Sequence, residues 1–84
     1  MSAMRLLFSE TALRNYRNLP KLLQKISDKQ FSFLLKNFRH PSLRAKKYDE
    51  AKDVWQARIN RGYRFYFRIY GDCYEIIAIT KHLK

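Results

Sequence analysis

Two hydrophobic periods divide the chain. Between Leu22 and Phe38, apolar residues return every three to four or seven positions, at Leu22, Leu23, Ile26, Phe33, Leu34 and Phe38. Phe31 and Leu35 widen the stripe, and the spacing predicts an amphipathic helix of about five turns. His40-Pro41 is expected to end it, because a residue before proline is pushed out of helical geometry. Upstream, Met4 to Phe8 reads as a short strand. Ser9 then offers an N-cap and Glu10 a first-turn negative charge for a helix reaching Asn18. Leu19-Pro20 breaks that run, and Pro20 suits the first position of the longer helix.

From Val54 the period becomes two. Trp55, Ala57 and Ile59 fall to one side, and Gln56, Arg58 and Asn60 to the other. Arg61-Gly62 marks a turn. Tyr63, Phe65, Phe67 and Ile69 then alternate with Arg64, Tyr66, Arg68 and Tyr70. Gly71-Asp72 turns the chain again into a β-branched-rich strand, Cys73 to Lys81. A meander with one apolar face needs a cover, and the helical hairpin is the cover at hand. The expected fold is α+β: an N-terminal strand and helical hairpin packed on one face of a C-terminal antiparallel β-meander. Its 84 residues are one domain, 1–84, with no room for a second core.

Composition narrows the function. Two glycines exclude the Gly-rich dinucleotide fingerprint and the phosphate-binding loop of NTPases. The apolar runs Leu6-Leu7-Phe8 and Ile76 to Ile79 are too short for a secretory signal or a membrane span. One cysteine, Cys73, has no intrachain partner, so a cytoplasmic, reducing location is expected. No cofactor is implied. A metal site is not expected either, since His40, His82 and Cys73 are scattered and Cys73 falls on the opposite strand parity to His82.

Charge is the informative quantity. Eighteen Lys/Arg against seven Asp/Glu give +11, which attracts polyanions. The cations concentrate in two acid-free stretches. One carries Lys36, Arg39, Arg44, Lys46 and Lys47; the other carries Arg58, Arg61, Arg64 and Arg68. Arg58, Arg64, Arg68, Tyr66 and Tyr70 share the open-face parity of the meander. Guanidinium groups bind phosphates bidentately and phenol rings stack on unpaired bases, so this mixture suits RNA; Arg on Tyr cross-strand packing is the plainer use. His82, with the parity of Ala78 and Thr80, is expected on the same face, where imidazole serves as acid or base near neutrality. Asp49, Glu50 and Asp53 read as solvated turn residues, Glu50 being the one placed to reach a substrate.

The order strand, helical hairpin, basic meander and terminal His resembles the RelE/ParE toxin superfamily of toxin–antitoxin systems. The stretches that carry the resemblance are HPSLRAKKY (His40 to Tyr48), WQARINRGYRFYF (Trp55 to Phe67) and ITKHLK (Ile79 to Lys84). The spacing of Trp55, Arg58, Ile59 and Arg64 is similar to that of YoeB-type members. The resemblance implies a compact RelE-like fold and a ribosome-dependent mRNA endonuclease that works without metal, through attack of the RNA 2′-OH on the adjacent phosphate. As alternatives it also admits a ParE-like DNA gyrase inhibitor, or a module that binds RNA or antitoxin without catalysis.

On the nuclease branch the resemblance implies Arg64 on the scissile phosphate and Arg58 at a second basic position. It implies His82 as terminal acid or phosphate ligand, with Tyr66 completing the catalytic set. Lys46 and Lys47 match a basic loop that meets RNA, and Arg44, Arg61 and Arg68 join them as RNA-binding residues. Gln56 stands where RelE has a lysine, and Leu83 where YoeB-type members have a tyrosine. The implied partners are the ribosome, mRNA and a cognate acidic antitoxin that folds over the basic face. The chain itself is expected to be monomeric or assembled with the antitoxin, away from membranes.

Overall fold

The computed structural model describes residues 3–82. The strand β1 (Arg5–Phe8) leads into the helices α1 (Glu10–Arg17) and α2 (Lys21–Lys36). A 3-10 turn (Pro41–Leu43) precedes β2 (Lys46–Asp49), β3 (Val54–Asn60), β4 (Tyr63–Tyr70) and β5 (Cys73–Lys81). The five strands form one sheet in the order β1-β5-β4-β3-β2. β1 pairs with β5 in parallel and the rest of the sheet is antiparallel. The sheet is therefore wider than the three-stranded meander: β1 extends one edge, and β2, which reads as polar connector in the sequence, extends the other.

Local chemistry explains the boundaries. Ser9 caps α1, its Oγ accepting from Ala12 N at 3.0 Å and donating to Ile77 O at 2.7 Å. Pro20 is the residue before α2 rather than its first turn, and Lys21 opens the helix. Gln24 Nε2 donates to Tyr16 O at 2.9 Å and the Tyr16 hydroxyl donates to Asp28 at 2.7 Å, which ties the hairpin together. α2 stops at Lys36, four residues before His40. His40 instead organises the segment that follows. Its Nδ1 accepts from Ser42 N at 3.1 Å, capping the 3-10 turn, while its ring stacks on Phe33 at 3.9 Å.

The helices cover one face of the sheet, α1 along β5 and α2 over β3. Phe31 from α2 packs edge-on to Phe8 of β1 and to Phe65 of β4, at 5.3 and 5.0 Å between ring centroids. Phe67, Ile76, Ala57, Ile59, Leu34 and Leu43 join them in the core. Trp55 lies at its margin, edge-on to Phe38 at 5.3 Å. The buried side of α2 is Ser27, Gln30, Phe31 and Leu34. Leu22, expected in the stripe, is 69% exposed. The opposite sheet face carries Arg58, Arg64, Tyr66 and Arg68.

Strand parity is broken by bulges. On β5, Tyr66 pairs with Ala78 but Phe67 with Ile76, so Ile77 is an extra residue. It lets Ile76 point into the core while Ala78 and Thr80 face outward. It also places Cys73, opposite Tyr70, on the same face as His82 but at the far end of β5, which corrects the opposite parity expected from numbering. On β2, Tyr48 is extra between the pairs Lys47–Trp55 and Asp49–Val54. On β3, Ile59 is extra between Arg58–Arg64 and Asn60–Tyr63, so Asn60 leaves the strict alternation.

Candidate functional site

The open face contains a cleft of about 220 Å³ lined by Arg44, Lys46, Gln56, Ala57, Arg58, Arg64 and His82. Arg58 and Arg64 are direct cross-strand partners on β3 and β4. Two like charges directly opposite each other destabilise a sheet, so the pair is a local cost that a bound anion would relieve. Arg64 is also paired with Thr80 of β5, two residues before His82. The His82 backbone N donates to Gly62 O at 2.7 Å, which ties the end of β5 to the β3–β4 turn. Lys46 pairs with Gln56 across β2 and β3. Arg44 closes the 3-10 turn in the left-handed region, φ 48° and ψ 43°, a conformation that costs a non-glycine residue about 1 kcal/mol.

Electrostatics concentrate in this cleft. Partial burial, then the charges of Arg44, Arg64 and Arg61, press Arg58 below the ordinary arginine value. An arginine stays charged under such pressure, so what builds up is positive potential. Arg64 is held by one nitrogen: Nη1 donates to Asn60 O at 2.6 Å, Tyr63 O at 3.0 Å and Arg61 O at 3.3 Å. Among the described residues Nε and Nη2 make no hydrogen bond, which leaves one edge of the fork for a ligand. Among the described residues no carboxylate lines the cleft. The ion pairs of the described residues all lie elsewhere: Arg5–Asp72, Lys47 with Glu50 and Asp53, and Arg68–Glu75.

The sequence-derived residues divide accordingly. Arg58, Arg64, His82, Arg44 and Lys46 come together. Tyr66 lies beside them: it lines the adjoining trough, and its hydroxyl accepts from Gln56 Nε2 at 3.1 Å. Lys47 points away from the cleft, paired with Asp53 at 2.5 Å and seated 4.8 Å from the Trp55 ring centroid. Glu50 is the second partner of Lys47 and lies outside the cleft. Arg61 is exposed in the turn and contributes its carbonyl to Arg64. Arg68 faces Glu75 at 3.8 Å and donates to Lys52 O at 3.2 Å. Leu83 lies outside the described residues. Among the described residues no three His, Cys, Asp or Glu side chains gather as a metal site, and no helix is long and apolar enough to cross a membrane.

Gln30 escapes a sequence reading. Buried on α2, it donates to Arg58 O at 2.7 Å and to Ser42 O at 3.1 Å, and accepts from the Ser42 hydroxyl at 3.1 Å. It thus fixes the strand that carries Arg58 and the turn that presents Arg44. The signal available was a polar pair, Ser27 and Gln30, at helical spacing on the side bearing Phe31 and Leu34.

No family model matches the sequence, and no curated protein matches it. Solved structures do resemble it. The YoeB dimer from Staphylococcus aureus superposes with a TM-score of 0.80 at 16% identity, covering 98% of this chain and 100% of that one. The isolated Escherichia coli RelE toxin gives 0.77 at 21% identity, covering 99% and 87%. The archaeal RelE–RelB complex from Pyrococcus horikoshii gives 0.78 at 14% identity, covering 95% and 96%. Over nearly its whole length, the chain has the fold of the RelE and YoeB toxins.

Proposed function

We propose that the chain is the toxin of a type II toxin–antitoxin pair and that its cleft cleaves mRNA on the ribosome. The observation that carries this reading is the cross-strand Arg58–Arg64 pair beside His82, in a cleft lined, among the described residues, by four cations and no carboxylate. Such a site binds a phosphodiester and stabilises the extra negative charge of a five-coordinate phosphorus.

The reaction is the one the resemblance implies, and that placement supports it. The RNA 2′-oxygen attacks the adjacent phosphorus, the O2′–P bond forms and the P–O5′ bond breaks. Arg64 offers its free guanidinium edge to the non-bridging oxygens, and Arg58 and Arg44 share the developing charge. His82 as imidazolium gives a proton to the departing O5′, while the 2′-OH proton leaves to water in the open cleft. The products are a 2′,3′-cyclic phosphate and a 5′-hydroxyl. Lys46 supports the assignment, since it returns an amine to the cleft from directly opposite Gln56, where the resemblance leaves a lysine missing.

An acidic antitoxin is the matching protein partner, because a segment of opposite charge laid over the cleft would neutralise it. Similar folds occur in the RelBE complex of Escherichia coli and the YoeB–YefM complex of Staphylococcus aureus. The test is primer extension on mRNA after induction, with and without translation. Discrete new 5′ ends that vanish when translation is blocked are expected. Growth arrest with intact messages would reject the nuclease reading.

A further inference from the structure

Beside the cleft, on the same sheet face, lies a trough of about 450 Å³ whose floor is Val54, Ile77 and Ala78 and whose wall is Tyr66 and Tyr48. Two bulges build it. The β2 bulge makes Tyr48 the extra residue and brings its ring edge-on to Tyr66, at 4.9 Å and 64°. The β5 bulge makes Ile77 the extra residue, so that Ile77 and Ala78 both line the trough. That second bulge is held from behind. Ser9 Oγ donates to Ile77 O at 2.7 Å, and Ile79 N donates to Asn15 Oδ1 at 3.0 Å. Bulges re-aim side chains beside functional sites, and here two on separate strands converge. Tyr48 remains 62% exposed, so burial in the core does not explain its position.

We infer that this trough is a nucleobase subsite, taking the base of a nucleotide next to the phosphate held by Arg58 and Arg64. The inference rests on the RNA reading given above. Gln56 joins the two sites: its side chain lines the cationic cleft and hydrogen-bonds the Tyr66 hydroxyl. A base is tied to its phosphate through one sugar, so a phosphate site and a largely apolar, aromatic trough joined by the Gln56–Tyr66 hydrogen bond match one nucleotide unit. The ring face of Tyr48 supplies a platform that tolerates any base. Lys52 adds positive charge, and among the described residues no carboxylate lines the trough. An apolar side chain of a protein partner would fit the floor, but the adjoining cationic cleft favours the nucleotide.

The test uses the full chain and ribosomes programmed with a 2′-O-methyl message, which cannot be cleaved, carrying one abasic residue at successive positions. At one position next to the scissile phosphate the abasic residue is expected to weaken binding about 5- to 100-fold. Tyr48→Ala on the intact message is expected to lose as much, the two losses should not add, and Tyr48→Phe should restore binding. A flat abasic walk, additive losses, or wild-type binding by Tyr48→Ala would overturn the subsite while leaving phosphate recognition standing. Absence of wild-type binding to any programmed ribosome would instead overturn the RNA reading, and the subsite with it. If Tyr48→Ala bound message normally but lost neutralisation by its protein partner, the trough would belong to that partner.

Discussion

The sheet carries positive charge in two different ways. In the cleft, Arg44, Lys46, Arg58 and Arg64 face one another, with no carboxylate of the described residues among them. Toward the β2 edge and the Gly71 turn, Lys47, Arg68 and Arg5 each face an acid within 4.0 Å: Asp53, Glu75 and Asp72 respectively. The second group is nearly self-neutralised and asks for no ligand. The first concentrates positive potential and is relieved by a polyanion. Of these two basic regions only the cleft presents its cations unmatched, and what sets it apart is the missing partner rather than the abundance of cations.

The largest effect should come from His82, to which the proposed reaction gives the proton transfer. His82→Gln keeps a hydrogen-bonding side chain, and the backbone bond to Gly62 O is untouched, so binding to the ribosome should survive. Cleavage should fall about 10²- to 10⁴-fold in a single-turnover assay on programmed ribosomes. Wild-type cleavage by this variant would remove His82 from the mechanism and leave the cleft a binding site only.

Next is Arg64→Ala, expected to lower cleavage about 30- to 1000-fold by removing a phosphate ligand. Strand parity alone suggests that stability would not change, since the side chain faces outward. The contacts say otherwise. Nη1 bridges three carbonyls at the β3–β4 turn, so the variant should also lose about 1–3 kcal/mol in denaturant unfolding. A fully stable variant would mean that the turn does not depend on those bonds. Behind the same strand, Gln30→Leu keeps an apolar volume but strips Arg58 O and Ser42 of a partner. It should cost about 1–3 kcal/mol and reduce cleavage by loosening Arg58 and Arg44, whereas Leu22→Ala on the exposed side of α2 should do neither.

These variants also measure how much the sequence discloses. Period-two alternation from Trp55 and Tyr63 is a direct consequence of the pleat, so the faces of Arg58, Arg64 and Tyr66 are legible from residue order. Turn chemistry at Gly62 and Gly71 is local, and so is Ser9 as a cap. Three kinds of information are not local. β2 consists of Lys46 to Asp49, polar residues on an edge, and its pairing depends on β3 being there. The bulges at Tyr48 and Ile77 depend on cross-strand register and on Ser9 and Asn15, which are remote in sequence. The division of cations into free and matched depends on where Asp53, Glu75 and Asp72 fold back, so Lys46 and Lys47 read as equals in the chain and are opposites in the structure.

That neighbouring pair supplies the finest test. Binding to single-stranded RNA weakens with salt, with a log–log slope of about −0.7 for each phosphate a cation neutralises. Lys46 lines the cleft without an acid, so Lys46→Ala should make the slope shallower by about 0.7. Lys47 is already occupied: its hydrogen bond to Asp53, with help from Glu50, raises its ammonium above the ordinary lysine range. A raised folded-state value means that this pairing stabilises the fold at neutral pH and fades as pH climbs through the lysine range. Lys47→Ala should therefore leave the salt slope and cleavage unchanged, with only a small loss of stability because the acids are exposed. Equal slope changes for the two variants would show that Lys47 leaves its acids when RNA binds. The free and matched cations would then be states of one surface, exchanged by the ligand, and the boundary of the site would have to be redrawn to include β2 as a whole.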